Sequence, residues 1–133
     1  MFESNRPRAS RMSVKDVGPT LVTYQQRVIC ERLGLVPDVP PPDSKVGLSE
    51  TACTGAVPLN GLRHPPEGDA SGWYVWGGDV LSEDADFFSP LCFRHLDKRC
   101  PAVVDFLALP PGWRFLLAPD QVDVWFDESL LRV

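Results

Sequence analysis

The chain of 133 residues lacks the usual marks of an enzyme. Ser71 sits in a Ser-Gly-Trp stretch and not in the Gly-x-Ser-x-Gly elbow that exposes a nucleophile. No Gly-Lys-Ser/Thr follows Gly77-Gly78, so no phosphate loop is formed. The carboxylates Asp79, Asp84 and Asp86 lack the spacing of a calcium loop. Cys30, Cys53, Cys92 and Cys100 are separated by 23, 39 and 8 positions, with no Cys-x-x-Cys pair, and His64 and His95 lie apart from one another. A structural zinc site normally contains at least one close ligand pair, so free and largely buried thiols are expected. Cys53, Cys92 or Cys100 would act as a nucleophile only if the fold brought one of them to a histidine, and core cysteines are the simpler reading. The expectation is a protein with no catalytic residue, no metal and no cofactor.

Long apolar runs are absent as well. None approaches the roughly 18–20 residues that span a bilayer, and the first residues, MFESNRPRASRMSVKD, contain no apolar stretch of the secretory type. No membrane contact and a cytoplasmic location are expected. Basic residues are missing from two long windows. Between His64 and Phe93 there is no Lys or Arg, against Glu67, Asp69, Asp79, Glu83, Asp84 and Asp86. Between Phe115 and Leu131 the same holds, against Asp120, Asp123, Asp127 and Glu128. The net charge is −5, yet residues 1–15, with Arg6, Arg8, Arg11 and Lys15 against Glu3, carry +3, leaving −8 for the rest. Such a surface argues against nucleic acid as ligand and favours a basic protein partner, whose association it would steer.

Proline and glycine are plentiful, 14 and 10 residues, which predicts short elements and many turns. Residues 1–16 read as a flexible basic tail, and 17–133 as one domain. A helix is expected over 20–33, with Thr20 as N-cap, Val22, Ile29 and Leu33 inward, Gln25 and Gln26 outward, and Gly34 as its stop. The proline-rich segment 36–42 is a stiff linker. A short strand is expected around Val46-Gly47-Leu48, and a turn at Asn60-Gly61. In Ser71–Trp76, alternation puts Trp73 and Val75 on one face of a strand and Tyr74 and Trp76 on the other. Pro101–Leu107 reads as a helix with proline in its first turn. Arg114–Ala118 and Val122–Asp127 form a C-terminal hairpin in which Asp123, Trp125 and Asp127 share a face. The fold class is α+β: a mixed or antiparallel sheet of about five strands with two to three helices.

Several motifs occur in one order: Asn60-Gly61-Leu62-Arg63-His64-Pro65-Pro66, Ser71-Gly72-Trp73-Tyr74-Val75-Trp76-Gly77-Gly78, Asp86-Phe87-Phe88, Leu109-Pro110-Pro111-Gly112-Trp113-Arg114-Phe115-Leu116 and Asp123-Val124-Trp125-Phe126-Asp127. Over residues 45–133 the chain resembles the bacterial immunity protein 33 family of polymorphic toxin and secretion systems. That resemblance implies a cytosolic protein that binds and neutralises a cognate toxin, without catalysis or cofactor; it supplies no contact residues. Those are read from charge and aromatic pattern alone. Trp76, as the exposed tryptophan, is the expected anchor. Asp79, Glu83, Asp84 and Asp86 steer and pair with a basic active-site cleft of the toxin, and Asp123, Trp125 and Asp127 form a second patch of the same character. The alternative is a regulatory or scaffold module that uses the same face without a toxin partner. The sequence leaves the oligomeric state open.

Overall fold

A computed structural model describes residues 22–132. Among the described residues the first helix, α1, runs Tyr24–Arg32 and opens with a reciprocal cap. The Gln26 amide donates to Thr23 Oγ1 at 3.1 Å, and the Thr23 amide donates to Gln26 Oε1 at 3.0 Å. Both satisfy N–H groups that a helix start leaves without partners. The expected start at Thr20 falls outside the described residues. The helix ends as anticipated at Gly34: its N–H reaches Glu31 O while that of Leu35 reaches Cys30 O, the paired bonds of a Schellman stop. The inward face differs from the expectation. Gln26 and Cys30 are buried, whereas Leu33 is exposed. Gln26 is drawn in because its Nε2 donates to Val104 O at 3.0 Å, which outweighs its polarity.

Six strands make one mixed sheet: β1 (Lys45–Ser49), β2 (Leu59–Arg63), β3 (Ala70–Gly77), β4 (Phe88–Cys92), β5 (Trp113–Ala118) and β6 (Gln121–Phe126). Their spatial order is β4-β1-β3-β2-β5-β6. Only the β1–β3 pair is parallel; β5 and β6 form the expected hairpin. The Asn60-Gly61 turn is not there. Both residues lie inside β2, because tertiary packing overrides the local turn signal. A Cβ on Gly61 would stand 2.2 Å from the Phe115 ring, so the glycine leaves the space that ring fills. The Asn60 amide, free of turn duty, donates to Gly78 O at 2.9 Å.

One face of the sheet carries the helices. Val46, Leu48, Trp73, Val75 and Phe115 pack there against Cys30, Leu96, Cys100, Val103 and Leu107. Two short helices, α2 (Leu96–Arg99) and α3 (Pro101–Val104), supply most of that layer. The helix expected to reach Leu107 stops at Val104. Beyond it the backbone runs in turns whose carbonyls are taken by side chains from elsewhere. Val104 O accepts from Gln26, Leu107 O from Trp73 Nε1 at 3.1 Å, and Leu109 O from Arg63 at 2.7 Å. These bonds satisfy carbonyls that the end of a helix leaves without partners.

Arg63 is the centre of this arrangement. It is 2% exposed, with Nη1 donating to Leu109 O and to Asp38 O and Nε donating to Ser71 O. Its guanidinium also lies 5.7 Å from the centroid of the Trp73 ring. Burial pulls its pKa below the usual arginine range, and Asp38 opposes that shift. One side chain thus ties the proline-rich segment, the β3 start and the turn after α3 to β2.

The Ser71-Gly72-Trp73 stretch is a bulge. Lys45 pairs with Ala70 and Gly47 with Tyr74, so β3 spends two more residues than β1 between these pairs. Gly72 takes φ +94° there. Ser71 Oγ donates to Lys45 O at 2.8 Å and accepts from the Trp73 amide at 3.2 Å, satisfying backbone groups that the bulge removes from the ladder.

Candidate partner-binding face

Among the described residues no α-helix packs on the other face of the sheet. Its rows follow from the register. Trp76, Asn60, Leu116 and Asp123 lie across β3, β2, β5 and β6, and Tyr74, Leu62, Arg114 and Trp125 form the next row. The two segments expected to bind a partner therefore lie on the same face. Three strand spacings, about 14 Å, separate β3 from β6.

Trp76 is not the exposed tryptophan. It is 4% exposed, covered by Leu62 and Leu130 and met edge-on by Phe88 with ring centroids 6.2 Å apart. The reason is that the segment after β3 folds back over this face and the turn Glu128–Leu131 folds onto it from the other side. Trp125 is the exposed tryptophan, at 39%, and Trp113 is half-buried. Asp79, Glu83, Asp84 and Asp86 are all exposed in the β3–β4 connection. That connection has internal order: Asp84 accepts from the Asp86 amide at 2.9 Å, and Ser82 Oγ accepts from the Asp84 amide at 3.0 Å. Asp123 is part-buried and accepts from Gln121 Nε2. Asp127 is engaged within the fold, accepting from Ser129 and, at 3.1 Å, from Arg114 Nη1. Arg114 in turn lies 5.4 Å from the Trp125 ring centroid.

Ser129 and Arg114 together hold the Asp127 carboxyl below the usual aspartate range, the serine hydroxyl bond being the larger cause. Since the folded pKa is lowered, this stabilisation is complete above the ordinary value of 3.8 and is lost as pH falls through the depressed one. Protection of the Ser129 and Leu130 amides, exchange taken relative to the free-peptide rate at each pH, should therefore fall only when wild-type protein is acidified below that ordinary value. In Asp127→Asn exchange should be fast already at neutral pH and show no such step. An unchanged acid step in the variant would assign the loosening to another carboxylate.

The sequence reading missed the residues that shape this face. Tyr74 and Phe88 meet edge to face, centroids 5.1 Å apart, and form a ridge between two hollows. One, of about 420 Å³, is lined by Lys45, Gly47, Asp69, Gly72, Tyr74 and Phe88. The second, of about 240 Å³, is lined by Leu62, His64, Tyr74, Trp76, Leu81 and Phe88. Gly47 makes the ridge possible, because a Cβ there would stand 2.6 Å from the Tyr74 ring. His64 packs edge-on against Tyr74 and hydrogen-bonds Leu130 O through Nδ1 at 3.0 Å. The signal for Tyr74 was available, since strand alternation set it beside Trp76. The signal for Phe88 was not, because nothing local shows which strand β4 joins.

The described thiols have partners other than histidine. Cys30 and Cys100 donate to Ala108 O and Ala52 O, Cys53 is approached by Arg99, and Cys92 by Lys45. Among the described residues no helix is long and apolar enough to cross a membrane.

A family model described as Imm33-like domain matches residues 25–127, more than half of the chain. The chain belongs to the Imm33-like family. The match starts inside α1, so the first helix is part of the family unit, which the resemblance over 45–133 had left out. It also takes in both patches of this Imm33-like domain, the β3–β4 connection and the hairpin face. No curated protein and no solved structure matches the chain. An immunity family implies a toxin partner in general.

Proposed function

We propose that this Imm33-like protein neutralises a cognate bacterial toxin by docking it on the face of the sheet opposite the helices. The observation that supports this most is the pair of hollows around the Tyr74–Phe88 ridge, bordered by a connection with four exposed acids. An aromatic ridge beside concave apolar surface is the kind of centre at which interface energy concentrates. Asp79, Glu83, Asp84 and Asp86 at its border complement a basic cleft and raise the rate of encounter. Tyr74, not the buried Trp76, is the anchor in this reading. Trp125 and Asp123 extend the contact toward the β6 edge, while Asp127 holds Arg114 and the C-terminal turn in place. The location is the cytoplasm, where the toxin would be met before it acts.

The product of the adjacent toxin gene should co-purify with this protein, and Tyr74→Ala should weaken binding by about 2 kcal/mol or more, roughly thirtyfold. Reversing the charges of Glu83, Asp84 and Asp86 should chiefly slow association and flatten its salt dependence. Normal growth of a strain that lacks this gene while the neighbouring toxin is expressed and active would overturn the proposal. It would leave the regulatory or scaffold reading in its place.

A further inference from the structure

Lys45 and Cys92 stand directly opposite each other on β1 and the edge strand β4. Lys45 Nζ lies 3.1 Å from Cys92 Sγ, and both residues are only part-buried. Lys45 also lines the larger hollow, with Asp69 and Tyr74. The other three thiols are placed differently. Cys30 and Cys100 are buried in the core, and burial pushes both thiols up, away from the reactive thiolate. Cys53 has Arg99 Nη2 at 3.6 Å, a guanidinium with no nucleophilic amine to offer. Of the four thiols, Cys92 alone combines partial exposure with a lysine amine at contact distance from sulfur.

We propose that Lys45 and Cys92 form a peroxide-responsive pair that closes into a covalent sulfur–nitrogen link. The Cys92 thiolate attacks hydrogen peroxide; an S–O bond forms, the O–O bond breaks, and sulfur is oxidised by two electrons to the sulfenic acid while hydroxide leaves. Hydroxide takes a proton from the Lys45 ammonium. The freed amine attacks sulfur, the S–N bond forms, the S–O bond breaks and water departs with the second amine proton. The sum is one ammonium, one thiolate and one hydrogen peroxide giving one sulfenamide and two waters. The link removes the Lys45 charge from the hollow, cross-braces β1 to the edge of the sheet, and keeps Cys92 from the irreversible sulfinic and sulfonic states. An added thiol reopens it. This inference stands independently of the toxin reading, because it concerns a pair within one chain.

The test is peptide mass spectrometry on the full chain after brief exposure to a small excess of hydrogen peroxide. The expected product is a Lys45–Cys92 cross-linked peptide two hydrogen atoms lighter than the sum of its parts. Tryptic cleavage after Lys45 should be lost in proportion and restored by dithiothreitol. In Lys45→Arg, which keeps the charge but not the nucleophile, Cys92 should instead be trapped by dimedone and proceed to sulfinic acid. In Cys92→Ser cleavage after Lys45 should persist. Equal dimedone labelling of Cys92 in wild type and Lys45→Arg would overturn the proposal, as would oxidation of Cys53 ahead of Cys92.

Discussion

Replacing Arg63 by alanine should destabilise the fold by about 3–5 kcal/mol, the range for breaking a buried hydrogen-bonded charge site. The guanidinium satisfies the carbonyls of Asp38, Ser71 and Leu109 from within the core. Truncation leaves all three without that donor and opens a void beside Trp73, which is 0% exposed. Arg63→Met refills much of the volume and still strands the carbonyls, so it should recover only part of the loss. Arg63→Lys keeps a charge but cannot fork toward three acceptors, and should fall between the two. Urea unfolding followed by tryptophan fluorescence reads the effect as a drop in midpoint at constant slope. Wild-type stability in Arg63→Met would show that the carbonyls do not need the arginine.

Gly72→Ala should be comparably harmful, at least about 3 kcal/mol, from two separable causes. The first is backbone strain: φ +94° lies in the left-handed half of the map, where a side chain costs roughly 1–2 kcal/mol. The second is collision, because the new Cβ would stand 1.9 Å from His64 O, a backbone atom just past the end of β2 that the His64 N–H bond to Gly72 O holds in place. Gly68 separates the two. It has φ +59° with nothing within 4 Å of the added carbon, so Gly68→Ala should show the strain alone, about 1 kcal/mol. Equal losses at the two sites would mean that the bulge yields and the collision has no energetic weight. The measurement is the same urea titration, with both variants beside wild type.

These two positions also show what kind of information the chain carries on its face. Strand alternation in Ser71–Trp76 assigned Trp73 and Tyr74 to opposite faces correctly, because the pleat is a local property. The hairpin 113–126 was legible for the same reason, its two strands being joined by two residues. Asn60-Gly61 misled, because a strong turn signal was overruled by a ring contributed from position 115. Gln26 was assigned outward on polarity, yet its partner is a carbonyl 78 positions away. The early end of α3 was equally hard to read, since side chains from α1, β2 and β3 take up the carbonyls of Val104, Leu109 and Leu107. The site followed the same rule. The exposure of the acids in the β3–β4 connection was legible because charge shows in composition. Trp76 was misplaced because its covers, Phe88 and Leu130, approach from separate parts of the chain.

The position of β1 has a consequence for how the molecule is made. Among the described residues it is the first strand, and it lies between β3 and β4, both of which follow it. When β1 leaves the ribosome neither neighbour has been translated. Its edge toward β3 must wait through the synthesis of some twenty further residues and its edge toward β4 through some forty, as the two registers require. Pairings so distant in sequence are slow to close, because the loop must be ordered before the contact rewards it. A nascent chain halted before β4 would expose an unpaired edge of β1, the edge to which other chains add. For this topology, then, translational pausing late in the message is the hazardous kind, and a codon change that slows residues 79–87 should lower soluble yield without altering the mature protein.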